Sequence, residues 1–166
     1  STQAATLFVD SSESIGHFHT ENLFDDYARQ PLLPFKLSHA GPAACVCDIN
    51  GDQWDDLILG SSAGGRLHVF LNDHDGGFKK ALKSEIIEDE IASVFTLGPG
   101  RGNEFYTING GYEGSKYAGL TRHHLKNGKG LSGKEITTPL KSVSAIAQAD
   151  IDADGDLDLF LGGGPF

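Results

Sequence analysis

Two stretches of the chain place oxygen side chains at alternate positions. The later one reads Asp150-Ile151-Asp152-Ala153-Asp154-Gly155-Asp156-Leu157-Asp158, with carboxylates at the odd places and glycine at the sixth. The earlier one reads Asp48-Ile49-Asn50-Gly51-Asp52-Gln53-Trp54-Asp55-Asp56, with oxygen side chains at the first, third, fifth and ninth. Such a density of carboxylates repels itself unless something neutralises it. A hard divalent cation does so, and Ca²⁺ takes about six to eight oxygens, often from one short loop. The pattern predicts two calcium sites. The alternative is a pair of acidic surface turns that hold no ion.

An EF-hand loop opens in the same way but needs a glutamate at its twelfth place and a helix on each side. Here the twelfth places are Leu59 and Leu161. Each loop instead runs into a short apolar segment closed by glycine, Leu57-Ile58-Leu59-Gly60 and Leu159-Phe160-Leu161-Gly162, which reads as a strand. Both loops are therefore expected between β-strands, with Asp56 and Asp158 closing them.

The elements around these loops are read from composition and periodicity. At 166 residues the chain is one ordinary domain or part of a larger one. Its 22 glycines suit many tight turns between short strands. Nine of the 23 acids lie in the two loops, and taking those nine charges from the net −10 leaves −1. The acidity belongs to the candidate metal sites, and nothing basic favours nucleic acid. Cys45 and Cys47 alternate on a predicted strand, where a disulfide would be strained, and read as small buried hydrophobes. No stretch is long enough to span a membrane, so no direct insertion is expected. No signal peptide is visible, and a start at Ser1 fits a processed or trimmed product.

Residues 4–9 read as a strand, His17-Phe18-His19 as a second short one, and residues 22–29 as a helical turn or an extended arm. The two histidines have a zinc-like spacing but no evident third ligand, so a packing or surface role is expected. From residue 43 the pattern is regular. Strands are expected at 44–47, 56–59, 66–71 and 78–82, with a hairpin turn at Asn72-Asp73-His74-Asp75-Gly76-Gly77. Four antiparallel strands in about forty residues make one propeller blade. A decayed copy comes next, with strands at 93–96, 104–108 and 119–125 and a turn at Asn127-Gly128-Lys129-Gly130. Aligning Glu104 with Asp56 and Asp158 puts Thr96, Gly98 and Gly100 at the first, third and fifth places and Arg101 inside the loop, so no calcium is expected there. Pro99 and its neighbouring glycines are expected to hold that turn without metal.

The chain thus divides into an N-terminal strand and lead-in arm (1–42), a blade with a calcium loop (43–92), a degenerate blade (93–142) and a partial blade with a calcium loop (143–166). The fold class is all-β, an incomplete β-propeller of about three repeats. Propellers need about four or more blades. The remaining blades are expected from a longer chain or from other copies.

The runs D-I-N-G-D-Q-W-D-D-L-I-L-G and D-I-D-A-D-G-D-L-D-L-F-L-G-G resemble FG-GAP repeats, also called VCBS repeats, of integrin α-subunit-like calcium-binding β-propellers. Gly162-Gly163-Gly164-Pro165 is similar to the degenerate end of that motif. The segment from Gln30-Pro31-Leu32-Leu33-Pro34 to Gly41-Pro42-Ala43 resembles the lead-in of bacterial secreted or surface VCBS proteins, some of which carry an ASPIC/UnbV domain. The resemblance implies calcium ligands from the side chains of Asp48, Asn50, Asp52 and Asp56 with the carbonyl of Trp54. In the later loop it implies Asp150, Asp152, Asp154 and Asp158 with the carbonyl of Asp156. Gln53 departs from the usual glycine at the sixth place and takes the same turn at higher cost. Asp55 is expected to be a solvated neighbour, and Trp54 a packing residue over the loop or an exposed binding aromatic.

The function so implied is an extracellular, periplasmic or cell-surface binding, adhesion or scaffold module for a protein or glycan, with calcium holding strands rather than doing chemistry. The alternative is part of a secreted polysaccharide-degrading enzyme built on a propeller. No nucleophile elbow, zinc-protease helix or phosphate loop is present. His123-His124 with Tyr106 and Tyr112 would gather near one propeller face in an enzyme, but solvent-exposed histidines on a hairpin are the expected reading.

Overall fold

A computed structural model describes residues 10, 12–38, 41–98, 102–113, 118–126, 130–136, 138 and 140–163. Among these described residues two single-turn helices, α1 (Ser12–Ile15) and α2 (Asp26–Arg29), precede ten strands. The strands are β1 (Ala44–Cys47), β2 (Asp56–Leu59), β3 (Arg66–Asn72), β4 (Phe78–Ile86), β5 (Ile91–Phe95), β6 (Glu104–Asn109), β7 (Leu120–Lys126), β8 (Gly130–Ile136), β9 (Val143–Ala149) and β10 (Asp158–Gly163). They form two antiparallel four-stranded meanders, β1-β2-β3-β4 and β5-β6-β7-β8, and an antiparallel pair, β9-β10. The chain is all-β, and the described sheets do not close into a ring.

Alternation explains the strands. On β3, Leu67 and Val69 are buried while Arg66 points to solvent, as a pleated strand with one packed face requires. The β3–β4 turn is held by Asp73, whose carboxylate accepts the N–H groups of Asp75 and Gly77, each at 2.9 Å. Gly76, at φ 83°, takes the left-handed backbone there.

β2, β6 and β10 begin at Asp56, Glu104 and Asp158, the residues aligned with one another in the sequence analysis. One apolar cluster joins Ile58, Leu67 and Val69 of the first sheet to Val94, Phe105 and Leu125 of the second. Another joins Phe95, Ile108 and Leu120 of the second to Ile146, Leu159 and Leu161 of the third. The sheets are stacked face on face in chain order.

Three local expectations change. His17 to His19 carry no strand; His17 instead packs edge-on against His68 and Phe70, at 4.6 and 5.7 Å between ring centres. β4 runs on to Ile86, and β5 starts at Ile91, ahead of the expected Ser93. The expected strand at 4–9, the Pro99–Arg101 segment, the turn residues 127–129 and Gly164-Pro165 lie outside the described residues.

The arm before β1 ties the first two sheets together at the end away from the acidic loops. Ser62 Oγ donates to the Thr20 carbonyl at 2.8 Å, and Asn22 donates to the carbonyl of Ala63. Asp26, fully buried, accepts from Leu37 N (2.8 Å), Ser38 N (3.0 Å), Ser38 Oγ (2.5 Å) and Tyr112 Oη (3.1 Å). Arg29 sits 5.2 Å over the Tyr112 ring and donates to the Tyr112 carbonyl. Burial pushes the Asp26 carboxyl up, but the donors of Ser38, Leu37 and Tyr112 outweigh it and hold it at about 2. The folded value lies below the unfolded one, so this stabilisation is complete above about pH 4 and disappears as pH falls towards 2. Asp26→Ala leaves two hydroxyls and two amides without their acceptor, and urea unfolding at pH 7 should register a loss of about 3 kcal/mol. The difference between variant and parent should shrink in the same titration carried to pH 2.

Candidate metal centre

Each acidic loop is a hairpin connection, β1 to β2 and β9 to β10, with no helix on either side. The two share four backbone hydrogen bonds at equivalent places. The first-place carboxylate accepts from the amides at the fifth and sixth places: Asp48 from Asp52 N (3.0 Å) and Gln53 N (2.8 Å), Asp150 from Asp154 N (3.1 Å) and Gly155 N (3.0 Å). The fifth-place carboxylate accepts from the seventh amide, Trp54 N to Asp52 and Asp156 N to Asp154, both at 2.9 Å. The ninth-place carboxylate accepts from the second amide, Ile49 N to Asp56 (3.1 Å) and Ile151 N to Asp158 (2.9 Å). The chain is thereby wound around its own acids, with their oxygens turned inward.

The backbone matches as well. The fourth and sixth places are left-handed in both loops: Gly51 at φ 80° and Gln53 at 72°, Ala153 at 60° and Gly155 at 91°. Each loop has one glycine for two such positions, and each puts it at a different one. The expected strain at Gln53 is therefore present, and Ala153 carries its counterpart.

The loops differ in how their carboxylates are held. Among the described residues, Asp150, Asp152 and Asp158 bring one oxygen each within 4.8 Å of the others, and all three are exposed. Asp48, Asp52 and Asp56 are not gathered so closely. His74 Nε2 of the β3–β4 turn lies 2.9 Å from Asp52, and Asn50 Nδ2 donates to Asp52 at 2.8 Å. The His74 hydrogen bond holds the Asp52 carboxyl below its ordinary value. Asp56 is fully buried and also accepts Asn72 N of β3 at 2.8 Å. Burial pushes its carboxyl up, and the Asp52 and Asp48 charges add to that push against the donors from Asn72 and Ile49. Trp54 is half-exposed and stacks on His74, 5.1 Å between ring centres at 18°. Asp55 is exposed beside it.

In the second sheet the corresponding corner carries Glu104, which pairs with Arg122 and lies 3.6 Å from His124 Nδ1. The neighbouring histidine is not the exposed residue expected. His123 is buried, stacks on Phe105 at 4.8 Å and shares a 2.8 Å hydrogen bond with Thr107 Oγ1. Burial lowers its pKa to about 4, so it is neutral at pH 7. Tyr106 stacks on Phe95 and Tyr112 is engaged by Asp26, so the four residues do not converge.

No family model, curated protein or solved structure matches the chain.

Sequence reasoning missed His74 and the Asp26–Tyr112 lock. It also missed a second acidic grouping at the opposite end of the sheets. There burial pushes Glu90 up to about 7, and Glu113, Glu21, Asp89 and Asp26 add their charge. These residues come from separate segments, so no spacing rule points to them. The backbone finding is directly testable. A Cβ at Gly155 meets nothing within 4 Å, so Gly155→Ala isolates the left-handed strain. It should lower stability by about 1 kcal/mol, while Gln53→Gly should raise it by about 0.5–1 kcal/mol. Denaturant melts of both variants in chelator check this.

Proposed function

We propose that the chain is a calcium-stiffened segment of an FG-GAP/VCBS-type β-propeller that serves as a binding or scaffold module for a protein or glycan. The observation that carries this reading is the shared geometry of the two acidic loops. Four equivalent hydrogen bonds and two equivalent left-handed residues wind unequal sequences into one cage. Face-on stacking of repeated antiparallel sheets supports the propeller part of the reading.

The residues fit the ion. Carboxylates and carbonyls are hard oxygen donors, which suit Ca²⁺ and disfavour softer metals. In the later loop Asp150, Asp152, Asp154 and Asp158 would hold it with the carbonyl of Asp156, and three of those carboxylates already face one another. In the earlier loop Asp48, Asn50, Asp52 and Asp56 would hold it with the carbonyl of Trp54, once Asp52 leaves His74. The ion supplies neutralisation of charge. The chain supplies the fixed turn that links one strand to the next. Exposed sites of this kind suit an extracellular, periplasmic or cell-surface setting, where calcium is near millimolar and fills weak sites.

Thermal unfolding with calcium and with chelator tests the reading. At about a hundredfold excess of calcium over Kd, the parent should gain about 2.7 kcal/mol per site. Asp158→Ala should lose the gain of the later loop and change little in chelator, because its side chain is exposed. Equal shifts under both conditions would remove the metal role of Asp158.

A further inference from the structure

The two acidic loops are wound alike, yet among the described residues only the first is clipped from outside. In both, one oxygen of the fifth-place aspartate accepts the amide of the seventh place, Trp54 N to Asp52 Oδ1 and Asp156 N to Asp154 Oδ1. That leaves the second oxygen to face an ion. At Asp52 the second oxygen is taken as well. Oδ2 lies 2.9 Å from His74 Nε2 and accepts Asn50 Nδ2 at 2.8 Å. Asn50 belongs to the loop itself, whereas His74 comes from the turn between β3 and β4, 22 positions along the chain. Among the described residues, no side chain from another turn does the same to Asp154.

The position of His74 is built rather than incidental. Asn72, the last residue of β3, donates its amide to Asp56 at 2.8 Å and its side-chain nitrogen to the Asp55 carbonyl at 3.0 Å. Its side-chain oxygen accepts His74 N at 2.9 Å. His74 itself stands at φ 65°, a left-handed backbone that a residue with a Cβ adopts at a cost. The imidazole then lies flat against the Trp54 ring, 5.1 Å between centres at 18°. The turn is thus pinned to the end of the loop by Asn72 and reaches back to its middle through His74. The imidazole side chain is 46% exposed, so it can swing into water without disturbing the core.

We infer, resting on the calcium reading proposed above, that His74 is a built-in competitor of the ion at the first loop and sets the affinity of that site. Its ring nitrogen occupies the Asp52 oxygen that the loop would turn to a cation, so filling the site requires that contact to break. Ca²⁺ takes oxygen ligands, and the imidazole is therefore displaced rather than recruited. A site that must open before it binds loses apparent affinity in proportion to the fraction of time it is open. A hydrogen bond of ordinary net strength makes that loss about fivefold.

Calcium titrations of the full chain by calorimetry, each with one loop silenced, test this. With Asp158→Ala silencing the later loop, His74→Phe keeps a ring beside Trp54 but removes the nitrogen, and it should lower the Kd of the first loop about fivefold. His74→Ala should do the same, which separates the loss of the hydrogen bond from any change in stacking. With Asp48→Ala silencing the first loop, neither substitution should move the Kd of the later one. A first-loop Kd that stays the same or rises without His74 overturns the inference and leaves the calcium reading standing. So does a later-loop Kd that shifts with His74, or a first loop that takes no calcium with or without it. Absence of calcium heat at both loops removes the inference and the calcium reading together.

Discussion

Negative charge held inside a tight hairpin is the constraint on which the other features depend. A nine-residue connection with carboxylates at its first, fifth and ninth places would splay under its own repulsion. The backbone answers by turning amide donors onto those carboxylates, at Asp48 and Asp56 in one loop and at Asp150 and Asp158 in the other. Amides carry partial charges only, so they orient the acids without neutralising them. At Asp56 burial pushes the carboxyl up even against two amide donors, and the Asp52 and Asp48 charges add to that push. On the reading proposed above, a cation would complete what the amides begin at the corner that joins β1 to β2.

The second sheet holds its corner in another way. It has no carboxylates at the first, third and fifth places, and it leans on its neighbours instead. Asn103, at φ 73°, donates its amide to the Ile49 carbonyl of the first acidic loop at 2.9 Å and accepts Leu125 N at 2.7 Å. Glu104 finds its counter-charge in Arg122 of the adjacent strand. A partly exposed pair of this kind contributes at most about 1 kcal/mol. The stacked core therefore does most of the holding there, through Phe105 on one face and Ile108 on the other.

Much of this was legible from residue order. Strand alternation, the glycine that closes β2, and the starting places of β2, β6 and β10 at Asp56, Glu104 and Asp158 are local signals, and the sheets obey them, although β10 runs on through Gly162 and Gly163. The winding of both loops was legible for the same reason, because an aspartate accepts from amides only a few residues along the chain. The features that escaped are non-local. His74 reaches Asp52 across 22 positions, and Tyr112 reaches Asp26 across 86. His123 reads as a solvent-facing residue of a polar hairpin, yet stacking of the second sheet on the first buries it. His17 reads as part of a strand, yet it caps the ring of Phe70. Period and spacing carry no information about which segments meet once three sheets stack.

Diffraction from crystals grown with calcium, recorded at a wavelength where calcium scatters anomalously, bears most directly on the cation cages. The account predicts two peaks. One should lie about 2.3–2.6 Å from oxygens of Asp150, Asp152, Asp154 and Asp158, and the other at the same distance from Asp48, Asn50, Asp52 and Asp56 with His74 displaced. Maps without a peak in either loop, at calcium concentrations that saturate exposed oxygen sites, would contradict it.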